Sequence, residues 1–145
     1  MNSTDARPPH ARNKANYAAA KAAYNARDLD RCLTFYAPNH QIMSRRAPPG
    51  REQIRAFLAG TLAGWPDLQL ELAHVVAEDD WVMGRCVATA THTTSVMGIP
   101  ATGRQVVTTF WDLHRFDETG LIVQTWNLMD SVTLMEQLGL MPSSS

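Results

Sequence analysis

The sequence predicts an α+β fold in which three N-terminal helices pack on a curled antiparallel sheet and a short C-terminal helix closes the chain. Apolar residues recur at helical spacing up to about residue 65, and from Leu68 onward they alternate with polar residues as in strands. A block of helices followed by a block of strands is typical of α+β domains, and long strands twist and coil. The sheet is therefore expected to enclose a tapered pocket.

The first half of the chain carries the helical signals. Residues 1–11 are predicted to form a flexible tail, and the alanine-rich residues 11–27 a helix, because alanine is the strongest helix former. Asp28 is expected to cap a second helix, which continues through Tyr36 and ends at Pro38. A third helix, residues 51–63, has the clearest apolar stripe: Ile54, Phe57, Leu58, Thr61, Leu62 and Trp65.

The second half carries the strand signals. A short strand is expected at residues 40–44, before the third helix, and the main sheet begins near Leu68. Strands at 81–94, 105–116 and 121–129 complete a four-stranded antiparallel meander, and Asp130 is expected to cap a closing helix. No internal linker is present, so residues 1–145 are predicted to form a single domain.

Composition narrows the possible functions. Thirteen basic residues against 14 acidic ones leave a net charge of -1, which argues against nucleic-acid binding. No apolar run approaches the roughly 18 residues that a membrane span needs. The polar N-terminus lacks the apolar stretch of a signal peptide, so a cytoplasmic protein with no membrane partner is expected.

Motifs for metals and cofactors are missing from the sequence. The five histidines show no zinc-site spacing, and Cys32 and Cys86 form no Cys-x-x-Cys pair and are interpreted as core residues. No glycine-rich phosphate loop, nucleotide fingerprint or nucleophile elbow is present. An enzyme with this sequence is expected to use side chains, water and the reactivity of its substrate, without metal or cofactor.

Asp112 is the most conspicuous polar residue in the predicted sheet. Strand alternation places it on one face with Phe110 and His114, in a segment that is otherwise apolar or aromatic. A desolvated carboxylate there would have a raised pKa and could serve as a base or an acid. The alternatives are an ion pair with Arg85, Arg104 or Arg115, or exposure on the outer side of the sheet.

The last strand and one loop supply the other candidates. Asn127 shares a strand face with Thr125 and Met129, and is predicted to be catalytic together with Asp112. Arg45 and Arg46 lie in a proline-rich loop, where they would either bind an anionic substrate or be solvated. The residues expected to bind the substrate are Phe110, His114, Thr125, Met129, Arg45 and Trp65. Trp111 and Trp126 are expected on the outer face of the sheet, where they suggest a homodimer.

Seven short segments add a more specific signal through their order and spacing. They are WPDL at 65–68, AEDDWV at 77–82, THT at 91–93, MGIPATGR at 97–104, HRF at 114–116, WNLMD at 126–130 and EQLG at 136–139. Together they resemble the SnoaL-like polyketide cyclase family over roughly residues 15 to 142. The resemblance implies the cone-shaped α+β barrel of the nuclear-transport-factor-like superfamily, with an apolar cavity that holds the active site.

The resemblance also implies a mechanism that this sequence does not fully match. Cyclases of the family close a ring of an aromatic polyketide by intramolecular aldol condensation without metal or cofactor. An aspartate on the last strand is their acid/base, and a histidine on the preceding strand stabilises the enolate. Here Asn127 and Asp112 occupy these two positions, and an amide cannot accept a proton. Either Asp112 takes over proton transfer or the reaction differs.

A second branch of the family resembles the cyclases in fold and is implicated in hydroxylating anthracycline-type polyketides. Residues 127–130, Asn-Leu-Met-Asp, are more similar to that branch. The resemblance therefore implies a cofactor-independent hydroxylase of a polycyclic quinone or hydroquinone in antibiotic biosynthesis, with dioxygen as co-substrate and a separate reductase as partner. The alternatives are an aldol cyclase and a non-catalytic ligand-binding or dimerisation module.

Overall fold

A computed structural model describes residues 6–142 of the chain, which contain four helices and five strands. In chain order these are α1 (Pro9–Asn25), α2 (Leu29–Leu33), β1 (Tyr36–Ile42), α3 (Arg51–Gly64), β2 (Gln69–Glu78), β3 (Trp81–Thr91), β4 (Gln105–Phe116), β5 (Ile122–Met129) and α4 (Ser131–Gln137). The predicted α+β fold is confirmed, with three helices before the main sheet and a short helix after it.

The five strands form one curled sheet in the order β1-β5-β4-β3-β2. Strands β2 to β5 are the predicted antiparallel meander, whereas β1 pairs with β5 in parallel and makes the sheet mixed. The register shifts between Leu72 and His74 on β2, and between Arg115 and Phe116 on β4. Such bulges increase the local twist and bend of a strand, which helps the sheet curl.

Two predictions about the N-terminal half need correction. Helix α1 begins at Pro9, so residues 9–11 of the predicted tail are helical, as expected for a proline in a first turn. Residues 1–5 of that tail lie outside the described residues. Asp28 caps α2 as predicted, but α2 ends at Leu33, and Tyr36 begins β1 instead of ending the helix. Pro38 fits within β1 because β1 is an edge strand.

The core forms where α1 packs on the concave face of the sheet. Gly84 on β3 allows the closest approach, because a Cβ built there would lie 2.1 Å from the Tyr17 hydroxyl oxygen. Tyr17 is fully buried, and Cys86, two residues along the same strand face, is buried beneath it. Cys32 is also buried, so both thiols lie in the core as predicted. This contact brings α1 close to β3 and helps to position the side chains on its inner face.

Candidate active site

A cavity of about 710 Å³ lies between the concave face of the sheet and the helices α1 and α3. Most of its lining side chains are apolar or aromatic, and they come from both helices and from strands β3 to β5. Among the described residues that line the cavity, only three carry a formal charge: the cations Lys21 and Arg45 and the anion Asp112. The site's chemistry therefore depends on a small set of polar groups.

Asp112 is buried on the inner face of β4, with 1% of its surface exposed. The register of β4 and β5 places Asn127 directly opposite, and its Nδ2 donates a hydrogen bond of 2.5 Å to Asp112 Oδ1. The two residues predicted to be catalytic therefore meet on one cavity. Their pairing follows from strand alternation and from the regular register of this part of the sheet.

Helix α1 supplies the other partners of Asp112. Lys21 and Tyr17 are four residues apart and therefore lie on the same face of the helix. The Lys21 ammonium pairs with Asp112 Oδ2, and the Tyr17 hydroxyl donates to the same oxygen at 3.2 Å. Burial raises the pKa of Tyr17, so its hydroxyl stays protonated and acts as a donor. The carboxylate thus receives three hydrogen bonds.

The ion pair with Lys21 decides the charge state of Asp112. Burial alone would raise the pKa of the carboxyl, but the Lys21 ammonium, helped by the Asn127 amide, outweighs burial and holds this pKa below its usual value. Burial likewise disfavours the charged form of Lys21, yet the Asp112 carboxylate more than offsets it and raises the pKa of the ammonium. Both groups are therefore ionised at neutral pH.

The expectation of a raised pKa at Asp112 is wrong, because it did not include a cation from α1. None of the three arginines considered as ion-pair partners contacts Asp112. Arg85 donates to His74, Arg104 to the Gln137 carbonyl and Arg115 to Gln124. The carboxylate faces the cavity and not the outer side of the sheet.

Two buried histidines lie behind Asp112 and share one hydroxyl. His114 Nδ1 lies 2.8 Å and His40 Nε2 lies 2.7 Å from Thr125 Oγ1. Burial lowers the pKa of His114 to about 3 and that of His40 to about 4, so both rings are neutral at pH 7. His114 Nε2 lies 3.9 Å from Asp112 Oδ2. His114 is therefore a neutral polar group beside the carboxylate and not a second cation.

Every residue predicted to bind the substrate lines the cavity, although contact with a substrate stays a prediction. These residues are Phe110, His114, Thr125, Met129, Arg45 and Trp65. Arg45 places its guanidinium 4.4 Å from the centre of the Phe57 ring. Arg46 is exposed and is not among the lining residues. The structure thus separates two adjacent arginines that the sequence could not distinguish.

Three polar residues around Asp112 are not among the predicted site residues: Tyr17, Lys21 and His40. For Lys21 a signal was present, because it is the only charged residue between positions 15 and 26 of an alanine-rich helix. In the structure this lone charge lies on the face of α1 that reaches Asp112. His40 and Tyr17 carried no comparable signal.

The described residues contain neither a metal-binding cluster nor a membrane-spanning helix. Residues 6–142 contain no group of three or more His, Cys, Asp or Glu side chains arranged to hold a metal ion. Over the same range, no helix combines the length and the apolar character needed to cross a bilayer.

Solved structures similar to this chain include two with different proposed reactions. AclR from Streptomyces galilaeus, a proposed hydroxylase, is 30% identical with a TM-score of 0.83, over 94% of this chain and 90% of AclR. IdmH from Streptomyces antibioticus, a proposed polyketide cyclase, is 33% identical with a TM-score of 0.76, over 88% of this chain and 98% of IdmH. TsrD from Streptomyces laurentii is 27% identical with a TM-score of 0.82, over 93% of this chain and all (100%) of TsrD.

The family comparison agrees with these structures. No protein of curated function matches the chain. The family described as SnoaL-like polyketide cyclase matches residues 14–138, which run from within α1 to the end of α4 and include all the polar residues described around Asp112. With that match and with relatives of 30% identity or more along nearly their whole length, the chain belongs to the SnoaL-like polyketide cyclase family.

Proposed function

We propose that the protein is a cofactor-independent hydroxylase that acts on the hydroquinone form of a polycyclic, anthracycline-type polyketide, with dioxygen as co-substrate. The observation that carries this proposal is the amide at position 127. The family resemblance places the acid/base aspartate of the cyclases there, and Asn127 cannot accept a proton. Its amide instead donates to Asp112. Similarity to AclR over nearly the whole chain supports the same reaction class.

In the proposed reaction, a hydroquinone and dioxygen give a hydroxylated quinone and water. A phenolic proton leaves first, and a ring carbon of the electron-rich anion bonds to dioxygen to form a hydroperoxide. Loss of water from the hydroperoxide breaks the O–O bond, leaves one oxygen atom on the ring and oxidises the ring to the quinone. This step balances without another reductant. A separate reductase, the protein partner that we propose, is needed only to supply the hydroquinone from a quinone.

The cavity residues have distinct roles in this reaction. Asp112 accepts the phenolic proton, and the Asn127 amide is a preorganised donor for negative charge that develops on a substrate oxygen. The apolar lining, including Phe110 and Trp65, holds the flat ring system and excludes water from the reacting anion.

Arg45 provides the charge that favours an anionic substrate. Lys21 and Asp112 compensate each other, so the Arg45 guanidinium is the one formal charge on the lining without an opposite partner among the described residues. Arg45 is exposed as well as lining, which places it at the mouth of the cavity. We therefore propose that the substrate carries a carboxylate or an acidic phenol at the end that remains near the mouth.

The test uses a hydroxyanthraquinone that has been chemically reduced and is then mixed with the protein in air. The proposal predicts a product one oxygen atom heavier than the parent quinone, together with consumption of dioxygen. Heat-inactivated protein is the control, because uncatalysed oxidation of a hydroquinone gives only the parent quinone and hydrogen peroxide. Parent quinone alone in both samples, across a panel of such substrates, would contradict the proposal.

An aldol cyclase is the second candidate, and the 33% identity to IdmH favours it. In that reaction Asp112 would remove a proton from carbon, and the product would form without dioxygen. Ring closure of an open polyketide under anaerobic conditions would support the cyclase. A non-catalytic binding module is the third reading, and it is disfavoured by the meeting of Asp112 and Asn127 on one cavity. Ligand binding without turnover would support it.

We also propose that the protein is a cytoplasmic homodimer joined through the outer face of the sheet. Trp111, Leu113 and Trp126 line a groove there, and Leu128 beside them is 69% exposed. Apolar surface of this kind favours association. Sedimentation equilibrium should give twice the chain mass, and Trp126→Lys should give the monomer. A monomeric wild-type protein would contradict the dimer.

A further inference from the structure

Lys21 is a half-buried cation on the cavity wall whose donors are not all used. Its side chain is 15% exposed, and its Nζ lies 5.0 Å from the centre of the Phe110 ring and 5.4 Å from that of Tyr17. An ammonium has three N–H donors. Within the described residues, Asp112 is the one hydrogen-bond acceptor of this ammonium. Lys21 can therefore donate to a ligand in the cavity.

Asp112 depends on Lys21 to stay ionised, whereas two of its three hydrogen bonds come from other residues. Without the ammonium, the carboxylate would still accept from Tyr17 and Asn127, which are neutral donors. It would also still be buried, and burial favours the protonated form of a carboxyl. Asp112 therefore gains affinity for a proton at the moment when Lys21 pairs with a different anion.

We propose that substrate binding exchanges the anion that pairs with Lys21. The O–H bond of a phenol on the substrate breaks, its proton goes to Asp112 Oδ2, and its electron pair stays on the phenolate oxygen, which takes the place of the carboxylate beside Lys21 Nζ. The identity of the substrate rests on the function proposed above. Lys21 is thereby a catalytic residue, because it touches the oxygen whose negative charge activates the ring towards dioxygen.

This exchange conserves charge inside the cavity. One ammonium and one carboxylate become one ammonium and one phenolate, with a neutral carboxylic acid beside them. Placing an isolated anion in a buried apolar site is costly, whereas replacing one partner of an existing ion pair avoids most of that cost. The site therefore selects polycyclic ligands with a free phenolic hydroxyl over their O-methyl ethers.

The test is a titration of a bound dye in the absence of turnover. The absorption of 2-hydroxyanthraquinone changes when its hydroxyl ionises, so the ratio of ionised to neutral dye can be measured both free and bound. In the wild-type complex this ratio is expected to be about tenfold higher, or more, than for free dye at the same pH, because an adjacent cation favours the phenolate.

The variants separate the cation from the carboxylate. Lys21→Met should return the bound dye to the ratio of the free dye or below, while Lys14→Met, which removes an exposed lysine from the same helix, should leave the wild-type ratio. Asp112→Asn keeps the ammonium and should keep the ratio at or above that of wild type. Lys21→Met combined with Asp112→Asn leaves no unpaired buried charge, and it serves if the single Lys21 variant does not fold.

Three results would overturn the exchange. One is that the wild-type protein does not bind the dye, or that the bound dye is no more ionised than the dye in solution. The second is a folded Lys21→Met variant, or the double variant, that titrates as wild type does. The third is an Asp112→Asn complex in which the ratio of ionised to neutral dye equals that of the free dye. Because no oxygen is consumed in the titration, oxygen insertion can fail while this result stands, and the converse also holds.

Discussion

Two acid–base ion pairs of this protein lie in opposite surroundings, one against the cavity and one at the turn between β2 and β3. On the inner face, Asp112 and Lys21 are 1% and 15% exposed. At the turn between β2 and β3, Asp80 pairs with Arg115 of β4; they are 48% and 37% exposed, and their charged groups are 3.8 Å apart. Water can replace either partner of the exposed pair, so that pair contributes little. The inner carboxylate is almost fully buried and accepts from Tyr17, Lys21 and Asn127, and each of these donors changes its affinity for a proton. Exposure, more than residue type, therefore decides which aspartate can do chemistry.

The largest expected effect comes from removing the inner carboxylate. Asp112→Asn should lower the turnover of the reduced anthraquinone by about 100-fold or more, because the amide cannot accept the phenolic proton. Asp80→Asn is the matched change in the exposed ion pair and should retain near-normal turnover. Product formation per minute at saturating substrate measures both. Near-normal turnover of Asp112→Asn would remove this residue from the mechanism and make the buried and the exposed carboxylate equivalent.

The second effect concerns how tightly the inner face is packed. Gly84→Ala would place its Cβ 2.1 Å from the Tyr17 hydroxyl oxygen, and should lower the free energy of unfolding by about 1 to 3 kcal/mol. Gly60 lies within α3, where a Cβ would meet no neighbouring side chain or strand within 4 Å. Gly60→Ala should therefore leave the free energy of unfolding unchanged or raise it by about 0.5 to 1 kcal/mol. Urea denaturation provides both values. Equal stability of the two variants would show that the approach of α1 does not depend on Gly84.

This packing also explains what the sequence could and could not predict. Alternation along β4 and β5 was enough to place Asp112 and Asn127 on one face, because a strand has a fixed period. Lys21 could not be assigned to Asp112, since that pairing depends on which face of α1 docks on the sheet and on the space that Gly84 leaves. The local spacing of residues 34–38 predicts a helix, whereas Tyr36 begins β1. The difference arises because β1 forms by pairing with β5, a long-range contact that local spacing does not show.

The third effect is a loss of stability in acid that arises from the inner face. Burial lowers the pKa of His40 from 6.5 to about 4, so between these values the unfolded chain binds a proton that the folded protein does not. Stability should therefore fall as the pH drops through this range, by about 1.4 kcal/mol per pH unit for this residue. His40→Gln should flatten the dependence by that amount, measured by urea denaturation between pH 4.5 and 6.

His74 provides the control for this pH dependence, because it is exposed and contacts Arg85 on the outer side. His74→Gln removes an imidazole from the outer side and leaves His40 and its surroundings intact. If both histidine variants flatten the slope equally, burial on the inner face does not cause the acid sensitivity.

The smallest effect distinguishes the two adjacent arginines. Arg45→Gln should weaken the binding of anthraquinone-2-carboxylate about fivefold, because it removes an exposed charged contact, and should scarcely change the binding of its methyl ester. Arg46→Gln does not alter the cavity lining and should change neither affinity. Fluorescence titration at low salt measures all of these affinities. An equal loss for both ligands, or an equal loss in both variants, would contradict a role of Arg45 in binding the anion.

In the proposed reaction an oxygen atom from dioxygen enters the substrate, and isotope labelling tests this transfer most directly. The reduced anthraquinone is incubated with the protein under ¹⁸O₂ in ordinary water, and in parallel under ordinary dioxygen in H₂¹⁸O, and each product is weighed by mass spectrometry. We expect one ¹⁸O atom in the new hydroxyl of the first product, and no ¹⁸O beyond slow exchange of the quinone oxygens in the second. A product that gains its oxygen from water, or a ring-closed product that gains none, would contradict it.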